Sequence, residues 1–64
     1  MKINKKKLEI AMANKCIDQL RLAEESGLKY PTIRRACLRE GTRPSTIGKI
    51  AKALGVDVTE LIDE

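Results

Sequence analysis

Five basic side chains crowd the middle of the chain: Lys29, Arg34, Arg35, Arg39 and Arg43, with Glu40 the only acid among them. Arginine carries a planar fork of donors that matches phosphate oxygens and the acceptor edge of guanine. Such a cluster suits a polyanion. The residue types needed for other chemistry are missing. There is no histidine, so a zinc site of cysteine and histidine is excluded. No serine stands beside a base, no glycine-rich loop could cradle a phosphate, and no paired carboxylates share an obvious pocket. The residues point to binding rather than to an enzyme, with no cofactor and no metal expected.

Charge is unevenly spread along the sequence. The formal net charge is +4. Lys2, Lys5, Lys6 and Lys7 load the N-terminal end, whereas residues 53–64 carry four acids and no base. The basic middle should face a polyanion and the acidic end should face away from it. At 64 residues the chain offers one small domain, 1–64, with one core and one flat working surface. Tyr30 is the one aromatic, so core volume must come from aliphatic side chains. No apolar run approaches the roughly 20 residues of a membrane span, and no secretion signal is legible at the N-terminus. Cys16 and Cys37 are too few for a disulfide framework. Both are expected to be small core residues in a reducing cytosol.

The elements that must position the basic cluster are five short helices. Leu8, Ala11 and Met12 make one apolar stripe at i, i+3 and i+4, predicting a first helix from about Lys5 to Asn14. Asp18 is a good cap for the start of a second helix, which carries Leu20, Leu22 and Ala23 and stops near Ser26. Gly27 comes next, where a helix end favours a left-handed residue. A third helix starts close to Tyr30, with Pro31 in its first turn. Ile33, Ala36 and Cys37 face inward. Thr42, or alternatively Ser45, is expected to cap a fourth helix, with Ile47, Ile50, Ala51 and Leu54 inside and Gly55 at its end. Asp57 and Glu60 have capping-box spacing for a fifth, with Val58, Leu61 and Ile62 inside.

Two short helices joined by a tight glycine turn make a helix-turn-helix unit, here about residues 19–38. The steep crossing wants a small residue, Ala23. The turn wants Gly27, and the second helix plugs the core with Ile33. Its outer face is then free to enter a DNA major groove, N-terminus first. Through Gln19, Leu22, Ala23, Gly27, Leu28, Thr32 and Ile33 this pattern resembles the DNA-binding domain of the phage-repressor and Cro-like regulators, the XRE family. "KIAKALGVDVTELI", residues 49–62, looks like that family's fourth and fifth helices. The resemblance implies an all-α, five-helix, lambda-repressor-like domain.

It also implies that residues 29–32, 34 and 35 are exposed to the groove: Lys29, Tyr30 and Thr32 at the helix entrance, then Arg34 and Arg35. An arginine at position 35 can bond guanine in bidentate fashion. Arg34 could reach a base or a phosphate. Gln19, at the start of the second helix, can hold a phosphate together with the free amides there. Arg39, Thr42 and Arg43 would clamp the flanking backbone. The function implied is a sequence-specific transcriptional regulator, more a repressor than an activator. It would be cytoplasmic and nucleoid-associated when bound, from a phage, mobile element or chromosome. Its partners would be a palindromic double-stranded operator and a second copy of itself, with Val58 or Ile62 as the contact between copies. The alternative is an antitoxin-type interaction module that masks a toxin and autoregulates its promoter.

Overall fold

The computed structural model describes residues 2–38 and 42–63. Four α-helices succeed one another: α1 (Lys5–Lys15), α2 (Gln19–Ser26), α3 (Tyr30–Leu38) and α4 (Pro44–Leu54). Only an isolated antiparallel bridge, Ile3 to Ile62, breaks the helical character of the described residues. None of their helices is long and apolar enough to cross a membrane.

The expected fifth helix is instead a single 3-10 turn, Val58–Glu60. The Asp57 carboxylate accepts from Thr59 N and from Thr59 Oγ1, both at 3.0 Å, which holds its pKa below the ordinary carboxylate value. A capping box would direct that carboxylate one residue further on, to the Glu60 amide. The tighter turn suits the tasks of the next two residues. Leu61 O accepts from Asn4 N at 2.7 Å, and Ile62 pairs with Ile3. The chain is needed for the bridge and leaves the helical path.

Caps explain most of the helix boundaries. Asn4 accepts from Lys7 N at 3.0 Å and opens α1. Asp18 accepts from Arg21 N at 2.9 Å and opens α2. Gly27 closes α2 and Gly55 closes α4, both left-handed, at φ of 75° and 70°. The α4 start corrects the expectation for Thr42 or Ser45. Arg43 takes the cap position, with no side-chain cap bond. Pro44 is the physical reason: a proline at the first helical position drives the residue before it into extended backbone, and Arg43 has φ −65° and ψ 142°.

Cys16 corrects the expectation that both cysteines are core residues. Cys37 is buried and Cys16 is exposed. Cys16 closes α1 in the left-handed region, at φ 57°. That conformation costs an L residue about 1–2 kcal/mol, part of which glycine would return through its freer unfolded chain. Cys16→Gly should therefore stabilise the domain by roughly 0.5–1 kcal/mol. A thermal melt checks this, at roughly 4–8 °C per kcal/mol for a domain of this size.

The core gathers Leu8, Leu22, Ile33, Ile50 and Leu61, all essentially inaccessible, around Ala11, Ala23, Ala36 and Ala51. Helix α2 packs against both α3 and α4, and α1 against α3 and α4. Ala23 is buried as its place near the α2–α3 crossing requires. Leu20, by contrast, is 58% exposed. Residues two apart on a helix do not share a face, so Leu20 cannot accompany Leu22 inward.

Candidate nucleic-acid interface

The α2–α3 turn is built by local chemistry. Ser26 Oγ donates to Ala23 O and accepts from Leu28 N, each at 3.3 Å. Gly27 makes the left-handed step. Leu28 then packs against the core. Lys29 O accepts from Thr32 N at 2.9 Å and Ile33 N at 3.1 Å, starting α3. Once Ile33, Ala36 and Cys37 are buried, the helical period fixes what faces out. Lys29, Tyr30, Pro31, Arg34 and Arg35 are exposed, and Thr32 is half-buried at the edge. Pro31 and Arg35 share one line of the outer face, and Tyr30 and Arg34 the next.

The arginines differ in what holds them. Arg21 Nε donates to Glu25 Oε2 at 2.9 Å, and this bond, with the nearby carboxylate charge, raises the guanidinium pKa above its ordinary value. Arg34, Arg35 and Arg43 have no ion-pair partner among the described residues. All three are exposed, and among the described residues no carboxylate engages their forks of donors. Gln19 is the first residue of α2 and half-buried; Arg43 is exposed at the start of α4, and Thr42 beside it is half-buried. Both helix starts leave amide hydrogens available to an anion. Arg39 lies outside the described residues.

Two features went unread in the sequence. Leu38 ends α3 with 64% of its surface exposed, an apolar side chain beside Arg34 and Arg35 on the helical period. Its signal was its place one residue beyond the last inward position, Cys37. The second concerns the expected contact between copies. Ile62 is only 5% exposed, sealed by the bridge to Ile3, and so belongs to the core. Val58 is half-buried and packs against the core from its margin. Burial pushes the Cys37 thiol pKa up, with Glu9 adding to the shift, so this cysteine stays a neutral packing group. No group of three metal-ligating side chains forms among the described residues.

Comparison with known proteins adds the family. The model of the Cro/C1-type HTH DNA-binding domain matches residues 7–63. No curated protein matches. Among solved structures, native PhpD with cadmium atoms and PhpD with cadmium and hydroethylphosphonate each superpose with a TM-score of 0.83 at 25% identity. A mutant of hydroxyethylphosphonate dioxygenase superposes with a TM-score of 0.84 at the same 25% identity. All of this chain is covered in each case, but only 14% of the other chain. The fold therefore also occurs as a small part of a longer chain. With the glycine turn, the buried inner face of α3 and a family match over nearly its whole length, the chain belongs to the Cro/C1-type helix-turn-helix DNA-binding domains.

Proposed function

We propose that this chain is a sequence-specific transcriptional regulator, acting as a repressor, that inserts α3 into the major groove of its operator. The observation that carries this reading is the outer face of α3, which presents Arg34 and Arg35 without an ion-pair partner among the described residues. In this reading Arg35 reads a guanine, and Arg34 a base or a phosphate. Lys29, Tyr30 and Thr32 flank them, while Gln19, Arg39, Thr42 and Arg43 grip the backbone. The chain works by occupying DNA and not as an enzyme, in the cytoplasm. A single module this small buries about 600–1,000 Å² of protein surface on DNA. Two copies on a palindrome, their recognition helices roughly 34–36 Å apart, double that contact.

Selection of bound sites from random DNA tests the reading. A recurrent, two-fold symmetric sequence supports it, and a pool that never converges sinks it. The electrostatic part has its own test. Arg43→Ala and Arg39→Ala should each lower the slope of log K against log salt by about 0.9, while the neutral Gln19→Ala weakens binding and leaves the slope nearly unchanged. Titrations at several salt concentrations check this. Unchanged slopes for both arginines would take that loop off the DNA.

A second reading, a protein-interaction module such as an antitoxin, has one observation in its favour. A similar fold covers 14% of a dioxygenase chain, so it can be built into a longer protein. A neighbouring toxin gene would favour that reading, whereas a gel shift that failed even at low salt would point to a structural domain with an idle basic face.

A further inference from the structure

Among the described residues Leu38 is the most exposed large apolar side chain, at 64%. A scattered surface leucine is ordinary, but the place of this one is not. With Ile33, Ala36 and Cys37 buried, the helical period sets Leu38 close to the middle of the outer face of α3. It follows Pro31 by two turns and falls within about 20° of the same line. Arg34 lies to one side of it and Arg35 to the other, four and three residues before it. We propose that Leu38 is a specificity-determining residue that seats on the C5-methyl group of a pyrimidine in the major groove, beside the guanine read by Arg35. The inference deepens the proposed function and rests on its reading of α3 as the helix in the groove.

Chemistry selects the ligand. Leucine has no donor or acceptor, so a phosphate offers it nothing. Set against a polar base edge it would strip that edge of water and return no hydrogen bond. Among the groups that base pairs turn into the major groove, the thymine methyl is the apolar one. 5-Methylcytosine carries the same methyl at the same ring position. Leucine against methyl removes apolar surface from water on both sides. Spacing sets the place. Leu38 lies about 4.5 Å beyond Arg35 along the helix axis, and base pairs succeed one another about every 3.4 Å. The methyl therefore falls within one or two base steps of the guanine. Two other exposed aliphatic side chains lack this setting. Ile10 stands on α1 beside a groove that Ala11, Val56 and Thr59 also line, and Leu20 stands on α2 next to Gln19. Helix α1 has no arginine, and the one arginine of α2, Arg21, is held by Glu25.

The test starts from the site that selection recovers from random DNA. Each thymine of a half-site is replaced in turn by uracil, which lacks only the methyl, and each cytosine by 5-methylcytosine. Uracil at one position, within two base pairs of the guanine that Arg35 reads, should weaken binding about fourfold, the effect of one buried methyl. Leu38→Ala should bind the thymine and uracil duplexes equally, and Leu38→Met should keep the difference. At the same position 5-methylcytosine should exceed cytosine by a similar factor in the parent and not in Leu38→Ala. The order of the thymine and 5-methylcytosine duplexes then names the source of the methyl. Leu38 is exposed, so its variants should melt with the parent. Indifference to the methyl at every position, a uracil penalty that Leu38→Ala retains, or a loss in Leu38→Ala that is the same on every duplex would overturn the proposal. A selection that never converges removes the regulator reading and the contact with it. A converged site indifferent to the methyl removes the leucine contact alone.

Discussion

Replacing Ile33 by alanine will cost the domain about 2–5 kcal/mol. Ile33 is completely buried, in contact with a core built from all four helices. A chain of 64 residues has only roughly 3–10 kcal/mol in hand, at about 0.05–0.15 kcal/mol per residue. The substitution therefore removes much of the stability through one cavity. It acts on function as well, because Ile33 is the anchor that turns Arg34 and Arg35 outward. Urea unfolding should show a lower midpoint with an unchanged slope. DNA affinity should fall in parallel with the folded fraction. A variant that melted with the parent would mean that α3 is not held by this side chain.

Arg35→Ala is expected to relax base preference at one position in each half-site, by about 5- to 150-fold, the equivalent of 1–3 kcal/mol for a bidentate pair with guanine. Arg34→Ala should do less, since that side chain could rest on a phosphate. The fold should not change: both residues are exposed and neither has an ion-pair partner among the described residues. Site selection repeated on each variant reads the outcome. Unchanged preference with uniformly weaker binding would move Arg35 to the backbone, and the salt slope would then fall by about 0.9.

Where a local steric demand leaves few residue types, the sequence was legible. Ala23, Gly27 and Ile33 could be read because a close crossing, a left-handed step and a core plug each exclude nearly every other side chain. Asp18 and Gly55 were read for the same kind of reason. The outward placement of Arg34 and Arg35 comes from the helical period once Ile33, Ala36 and Cys37 are set inward. What escaped depended on distant partners or on competition between neighbours. Ile62 was expected inside and also, as an alternative to Val58, at the contact between copies; its bridge to Ile3 seals it in the core, and nothing near Ile62 announces that distant partner. Cys16 is left-handed because the chain must turn between Lys15 and the Asp18 cap; cysteine is not a residue that signals such a turn. The α4 cap fell to Arg43 because Pro44 dictated backbone geometry more strongly than Thr42 or Ser45 could offer a hydrogen bond.

The clasp between the two ends of the domain has a kinetic side. Asn4 N donates to Leu61 O, Ile3 pairs with Ile62, and Lys7 reaches Ile62 O across 55 positions. These contacts close nearly the whole domain into a ring. Loop-closure entropy must be spent before they return anything. Helices α2 and α3 are joined by a tight turn and pack on each other, so that local contact can form while the ring is still open. During synthesis, at about 5–20 residues per second, the entrance to α1 stays unsecured until Leu61 and Ile62 have been made. The groove beside Ile10, walled on one side by Val56, Thr59 and Glu60, is therefore completed only at the end of folding.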